Sequence, residues 1–419
     1  MTMTNDARNL IINNSEKIFG EITIPGDKSI THRAIMLGSL SQGTARIENY
    51  LVSEDCNNTL NIMKSLGVNI KQSDNALLIE GKGLHSLDKP TKPLYAGNSG
   101  TLMRLISGIL AMQPFASSVT GDESLTKRPM KRIIEPLRSM GGIIDSKNNL
   151  PPLHFSPNKS KQSIKFSSKI PSAQVKSCLL LASLFTSGES IINEEISTRD
   201  HTERLLEYFE YPIKIENKKI IIQGQKSLKA KEISIPSDIS SAAFFIVAAL
   251  IKKDSNILIK NVGLNSMRTG ILETLVDMGA NIKILDKYMI GNEPVGNIQV
   301  KYSKLKPVKM SGPNIVRMID ELPILFIACA SCSGVSEFFD IEELRYKESD
   351  RIKAMEEGLK KLGIETKSTV NSFTIVGGNF KGGIIDSHND HRIAMSFAIA
   401  GLISEKPVTI MNTININTS

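Results

Sequence analysis

Apolar residues fall into two rhythms along the 419-residue chain: short strand-like alternations, and longer runs rich in Ala, Leu and Ile at helical spacing. The junction between the two recurs. A short strand ends in a Pro or Gly turn with polar residues, and an apolar helix begins at once. Six copies can be read: Ile24-Pro-Gly-Asp-Lys-Ser into Leu40, Ala96-Gly-Asn-Ser-Gly-Thr into Leu110, Ile170-Pro-Ser-Ala-Gln into Leu184, Ile235-Pro-Ser-Asp into Leu250, Ser311-Gly-Pro-Asn into Ala330 and Ser387-His-Asn-Asp into Leu402. They return about every 70 residues, the signature of a repeat architecture.

A second, amphipathic helix follows in most copies and ends on glycine, at Gly67, Gly141, Gly279 and Gly363, the residue that tolerates a left-handed helix end. In the third copy Tyr208-Phe-Glu-Tyr-Pro stands where that glycine is expected. A further alternation follows each helix, so the unit reads β-α-β-α-β-β. The sixth copy has too few residues to finish, and the first 20 or so residues of the chain are expected to close it. Three units on each side of Pro236 give two lobes: residues 25–236 with units one to three, and residues 1–24 plus 237–419 with units four to six. The chain is expected to cross between them near 22–25 and 234–237, and such a pair of lobes to close around what lies between.

Composition narrows the function. Lys plus Arg number 51 against 43 Asp plus Glu, a formal charge of +8, which suits a protein that handles anions. With no Trp and 5% aromatic residues, and with lysines dispersed, a base-stacking nucleic-acid surface is not expected. The longest apolar stretches, 242–251 and 324–330, fall short of the roughly 20 residues a bilayer span needs. MTMTNDARNL lacks the basic start and apolar run of a secretory signal, so a cytoplasmic protein is expected. Cys56, Cys178, Cys329 and Cys332 are few and mostly set in apolar text, and the six His have no ligand spacing, so neither a disulfide framework nor a metal site is predicted.

The repeated turn has chemical value because a helix N-terminus presents unpaired N–H groups and the positive end of the helix dipole. Here the turns also bring side chains suited to polyanionic small molecules: Lys28, Ser29, Thr31 and Arg33; Asn98, Ser99, Gly100, Thr101 and Arg104; Ser172, Gln174 and Lys176; His391 and Arg392. Two further segments add Lys127, Arg128, Arg345, Lys347 and Arg351. Each alone also reads as an ordinary capped helix start or a solvated charged face. Their conjunction carries the information.

That conjunction resembles the 5-enolpyruvylshikimate-3-phosphate synthase family over nearly the whole chain. The markers are Gly26-Asp-Lys-Ser-Ile-Thr-His-Arg33, Gly97-Asn-Ser-Gly-Thr101 with Arg104, Lys127-Arg-Pro-Met130, Pro171-Ser-Ala-Gln-Val-Lys176, Thr198-Arg-Asp-His-Thr-Glu203, Asp320-Glu-Leu-Pro323, Leu344-Arg-Tyr-Lys-Glu-Ser-Asp-Arg351 and Asp390-His-Arg-Ile-Ala-Met395. The resemblance implies an α/β fold, the two-lobed inside-out α/β barrel of the enolpyruvyl transferases, made of six β-α-β-α-β-β units. It implies transfer of the enolpyruvyl group of phosphoenolpyruvate to the 5-hydroxyl of shikimate 3-phosphate, by addition and elimination through a tetrahedral intermediate, with no metal or organic cofactor. A monomer is the default expectation, which the sequence itself does not decide.

By the same resemblance, shikimate 3-phosphate would be held by Lys28, Ser29, Arg33, Ser172, Ala173 through its backbone, Gln174, Arg199, Asp320 and Lys347. Phosphoenolpyruvate would be held by Lys28, Asn98, Gly100, Arg128, Gln174, Glu348, Arg351 and Arg392. Asp320 would accept the hydroxyl proton, Glu348 would donate to C3, Lys347 would touch the 5-oxygen and relay a proton, and Lys28 would act beside them. Gly100 stands where Ala confers glyphosate tolerance in the family, so sensitivity is expected. The chain departs from commoner members at Glu343, Leu105 and Thr418. Two alternatives are a UDP-N-acetylglucosamine enolpyruvyl transferase, whose reactive Cys loop has no counterpart in 112–125, and a non-catalytic binding relative.

Overall fold

The computed structural model describes residues 2–3, 9–73, 76–168 and 170–418. It contains six four-stranded sheets that share one strand order, first-second-fourth-third. In the second repeat Leu94–Tyr95 runs parallel to Ser117–Thr120, which pairs antiparallel with Leu153–Ser156, and Ile143–Asp145 lies at the far edge. The third repeat has the same pattern in Lys165–Ser168, Glu189–Glu194, Lys219–Gln223 and Ile213–Glu216, and the fifth in Lys309–Met310, Val335–Phe339, Ser372–Val376 and Glu365–Ser368. In each, the parallel pair needs a crossover connection, and the apolar helix of the repeated turn supplies it.

The first and fourth sheets exchange their leading strands. Phe19–Thr23, which runs into the first turn, pairs with Asn256–Gly263 of the fourth sheet, in register Phe19 opposite Asn256. Glu232–Ser234, which runs into the fourth turn, pairs with Gln42–Glu48 of the first. The sequence reading joined each strand to the helix after it. An edge strand needs only one neighbour, however, and Pro25 and Pro236, having no N–H to continue a ladder, end these strands where the chain changes sheet. The sixth sheet is completed by the N-terminus: Gly383–Asp386 runs parallel to Val408–Met411, which pairs with Asn9–Ile12, and this with Thr2–Met3. No second α-helix follows Val408–Met411; the described chain finishes in a 3-10 turn, Thr413–Thr418.

The chain divides into two compact units. One comprises Met1–Pro25, Ser237–Tyr288 and Pro294–Ser419, the other Gly26–Pro236 with Met289–Glu293. The five residues Met289–Glu293, which the sequence reading put with 237–419, are the tip between the strands Asn281–Ile290 and Glu293–Lys301. They pack with the second unit, where the Glu293 carboxylate meets His201 Nδ1 at 2.6 Å and Arg204 donates to the Asn292 carbonyl at 2.7 Å. Each unit has its own apolar core.

Within the unit Gly26–Pro236, the helices Gly100–Leu110 and Ala173–Ser183 approach so closely that a Cβ on Gly108 would lie 2.2 Å from the Cys178 carbonyl oxygen. Glycine is required there, so that the two helices can pack in close contact. In the other unit the almost wholly buried helices Ile239–Ile251 and Leu322–Ala330 pack with His391–Gly401. At the third repeat, Glu210 adopts φ 56°, the left-handed helix end that Gly67, Gly141, Gly279 and Gly363 adopt elsewhere. A non-glycine residue there carries a steric cost of roughly 1–2 kcal/mol. The four cysteines are free and buried, and burial pushes the Cys56 thiol up to about 12 and the Cys332 thiol to about 11.

Candidate active site

In the unit Gly26–Pro236, the N-terminus of the helix Lys28–Leu40 is capped by Asp27, whose carboxylate accepts from the Ile30 N–H at 2.9 Å. Lys28, on the first turn, reaches the Asp55 carboxylate at 3.3 Å. Ser29 accepts through its backbone carbonyl from Arg33 at 2.9 Å. Arg33, buried one turn on, also donates to Thr202 Oγ1 and Ser177 Oγ, both at 2.7 Å. Its side chain therefore ties three helices together. Next to Lys28, His32 is fully buried with its pKa lowered to about 3, chiefly by burial and then by Lys28 and Arg33, so it is neutral and no acid.

A second group converges on Gly100. Ser99 caps the helix Gly100–Leu110 by accepting from the Leu102 N–H. A Cβ on Gly100 would sit 2.8 Å from Arg104 Nη1 and 3.3 Å from Arg128 Nη1, so two guanidinium groups face the bare Cα. Arg128 donates to the Asn98 side-chain oxygen at 2.7 Å and to Ser124 Oγ at 3.1 Å, while Asn98 in turn donates to Asp122 at 2.6 Å. Arg104 donates to the Gln174 side-chain oxygen at 2.9 Å, and Gln174 donates to Thr101 Oγ1 at 2.9 Å. Asn98, Gly100, Arg128 and Gln174 are thus brought together. Arg104 is a further member that the sequence reading kept out of its ligand set; its place four residues after Gly100 is the signal that could have found it.

Ser172 caps the helix Ala173–Ser183, accepting from the Val175 N–H at 3.4 Å, so Ala173 stands at the first turn with Gln174 after it. Arg199 lies half-buried on the segment between Glu189–Glu194 and the helix His201–Tyr208. Lys176, read from sequence as part of the anion trap, is instead sealed in the core. It is 3% exposed and pairs with Glu194 at 2.9 Å and Glu203 at 2.7 Å. Lys127 is exposed and paired to Glu123 one turn earlier. Arg345 is also removed from the anion-handling set: it bonds Asp350 at 2.6 Å and the Val370 carbonyl at 2.9 Å, closing a loop.

In the other unit, four residues singled out from sequence gather around a fifth, the buried Arg351. Arg351, 1% exposed at the start of the helix Arg351–Lys361, donates through Nε to Asp390 at 2.8 Å and through Nη2 to Glu348 at 2.6 Å, and its Nη1 lies 3.5 Å from Asp320 Oδ1. Lys347 Nζ is 3.4 Å from the same Asp320 oxygen. Arg392 donates to the Asp320 carbonyl at 3.0 Å and lies 3.7 Å from the Glu321 carboxylate. Burial alone would lower the Arg351 pKa, but Asp390, Glu348 and Asp320 together raise it, so it stays charged. Asp390 is likewise held below the usual carboxylate range because Arg351 outweighs its burial.

Asp390 therefore has two tasks. It caps the helix His391–Gly401 by accepting from the Arg392 N–H at 2.9 Å, and it fixes Arg351. Asp390, Asp55 and Glu321 were not in the sequence-derived ligand set, because nothing in their local text distinguishes an ordinary cap or acidic neighbour from a partner to a functional cation. Among the described residues no group of His, Cys, Asp or Glu could hold a metal ion, and no helix is long and apolar enough to cross a membrane.

Comparison with known proteins covers nearly the whole chain. The family model described as EPSP synthase (3-phosphoshikimate 1-carboxyvinyltransferase) matches residues 12–419. A 3-phosphoshikimate 1-carboxyvinyltransferase of Petrotoga mobilis is 48% identical over 411 residues, 97% of this chain and 95% of that protein. One from Legionella pneumophila is 46% identical over 401 residues, 96% of this chain and 93% of its own length. A solved EPSP synthase structure from Acinetobacter baumannii is similar with TM-score 0.88 and 43% identity, covering 98% of this chain and 95% of that one.

Proposed function

Since the chain belongs to the EPSP synthase (3-phosphoshikimate 1-carboxyvinyltransferase) family, we propose that its two side-chain clusters divide the work of one reaction: both bind anions, and the one around Arg351 also carries the proton transfer. The enzyme transfers the enolpyruvyl group of phosphoenolpyruvate to the 5-hydroxyl of shikimate 3-phosphate and releases phosphate, a step of the shikimate pathway towards the aromatic amino acids. The alternative acceptor, UDP-N-acetylglucosamine, is set aside by the family.

The observation that carries the division of labour is the set of opposed acids and cations around Arg351. In the addition step, the 5-hydroxyl oxygen forms a bond to C2 of phosphoenolpyruvate. The hydroxyl proton passes to Asp320, with Lys347 close enough to share it. C3 takes a proton from Glu348. For that, Glu348 must be a neutral carboxyl, and an anion taken up by Arg351 favours that form by displacing Glu348 from its cation and bringing negative charge beside it. In the elimination step C3 returns a proton to Glu348 and the C2–O bond to phosphate breaks; the proton held by Asp320 passes to the departing phosphate, which leaves as hydrogen phosphate and restores the Asp320 carboxylate.

The ligand reading follows the same logic. Arg128, Gly100, Gln174 and Asn98 are proposed to receive phosphoenolpyruvate with Lys28, Arg351 and Arg392. Ser29, Arg33, Ser172, the Ala173 N–H, Gln174 and Arg199 are proposed for shikimate 3-phosphate, with Lys28, Lys347 and Asp320. Arg33 contributes there mainly by holding its helix to Thr202 and Ser177. The chemistry asks only for side chains, and a cytoplasmic monomer without metal or organic cofactor is the proposed working form. Phosphate release on mixing with shikimate 3-phosphate and phosphoenolpyruvate, suppressed by glyphosate and absent with UDP-N-acetylglucosamine, is the expected result. Release only with the nucleotide sugar would overturn the reading.

A further inference from the structure

Lys176 has no donor to spare for a substrate. Its three N–H groups are spent on Glu194 Oε2 at 2.9 Å, Glu203 Oε1 at 2.7 Å and the Thr198 carbonyl at 3.2 Å, with the ammonium buried. These acceptors belong to three successive pieces of chain: the end of the strand Glu189–Glu194, the connecting segment, and the first turn of the helix His201–Tyr208. The segment is drawn tighter still by Thr198, which donates through its hydroxyl to Glu194 Oε1 at 2.5 Å. On the far side of Arg199, Asp200 accepts from Arg204 at 2.9 Å. Arg199 therefore sits between two anchored neighbours.

A buried ionic trio is a poor way to gain stability, because desolvation of the charges offsets much of their attraction. Glu203 shows the cost: burial raises its pKa despite Lys176, and its Oε2 has no hydrogen-bond partner. What a three-armed ammonium supplies is a fixed geometry between its own helix and the chain it grips. Lys176 lies two residues after Gln174 and four after Ser172.

We propose that Lys176 is a positioning residue that holds Arg199 at a set distance from the Ser172–Gln174 turn, so that both engage shikimate 3-phosphate together. The inference rests on the reading of Ser172, Gln174 and Arg199 as ligands of that substrate. It assigns Lys176 no contact with either substrate.

The test is a kinetic cycle on the full chain, with steady-state constants for each substrate measured for Lys176→Met, Arg199→Ala and the double variant, beside thermal unfolding of each. Arg199→Ala is expected to raise the KM for shikimate 3-phosphate about tenfold or more, the effect of losing one charge-assisted bond. Lys176→Met is expected to raise the same KM by about fivefold to tenfold while the KM for phosphoenolpyruvate stays within about twofold, and to add almost nothing in the Arg199→Ala background. Glu203→Gln, which keeps the shape and removes one arm's charge, is expected to move the same KM in the same direction, and decides the matter if Lys176→Met does not fold. An unchanged KM in a folded Lys176→Met or Glu203→Gln, or an effect that multiplies in full with Arg199→Ala, would overturn the proposal. An Arg199→Ala enzyme with normal KM would instead overturn the reading of Arg199 as a ligand, and the anchoring role with it.

Discussion

In one unit a buried arginine, Arg351, is wrapped by the carboxylates of Asp320, Glu348 and Asp390; in the other, Arg128 and Arg104 are held by the amide oxygens of Asn98 and Gln174 and by hydroxyl and carbonyl oxygens. The same guanidinium is set for different work. An amide or hydroxyl oxygen is readily exchanged for an incoming phosphate or carboxylate, which a guanidinium bonds more strongly, so the group around Gly100 suits binding. Carboxylates hold their cation strongly and can themselves gain and lose protons, so the group around Arg351 suits acid–base chemistry.

The largest effect is expected at Arg351. Arg351→Met leaves Asp390 buried without its cation, and unfolding in denaturant should show a loss of roughly 3–5 kcal/mol together with loss of activity. The same pair fixes a sign in pH. Because the folded-state pKa of Asp390 is lowered, its contribution to stability is present above the ordinary aspartate value and is lost as pH falls towards the folded value. Acid unfolding followed by circular dichroism should accordingly begin at higher pH for Arg351→Met than for the parent.

Next come the groups assigned to proton transfer. Asp320→Asn should lower kcat by about a hundredfold or more while leaving thermal stability nearly unchanged, since this carboxylate is partly exposed. Gly100→Ala is expected to act through binding instead. Its new methyl meets the mobile ends of Arg104 and Arg128, so the protein folds, the KM for phosphoenolpyruvate rises by about tenfold and glyphosate inhibition weakens in parallel. The smallest effect sharpens the comparison between neighbours: Lys127→Ala, removing an exposed ion pair with Glu123, should leave the thermal midpoint and both KM values essentially unchanged, whereas Arg128→Ala should raise the KM for phosphoenolpyruvate strongly.

The repeats were legible because a helix start has a local grammar. Pro or Gly, a capping Ser or Asp and an apolar run recur whatever the rest of the unit does, and Ser99, Ser172, Asp238 and Asp390 do cap the helices that follow them. Strand partnership has no such grammar: the expected lobe bounds already put Phe19–Thr23 with residues 237–419 and Glu232–Ser234 with residues 25–236, but the sheet partner of each strand has no local signal. The charges divide in the same way. Asp320, Lys347, Glu348, Arg351 and Arg392 were singled out as a functional set, and folding gathers them. Lys176 and Arg345 look no different in sequence from Lys28 and Arg128, because a positive charge in a string of letters does not say whether distant carboxylates will close around it. Only the fold brings Glu194 and Glu203 to Lys176 and Asp390 to Arg351.

The most direct test of the division between binding and proton transfer is the pair of steady-state constants for Glu348→Gln, followed by phosphate release. This variant keeps the shape of the side chain and its contact with Arg351 while removing the exchangeable carboxyl proton. The expected result is a kcat lower by about a hundredfold or more, with the KM for each substrate within about threefold of the parent. A kcat near the parent value with a raised KM for phosphoenolpyruvate would contradict the account and make Glu348 a binding group.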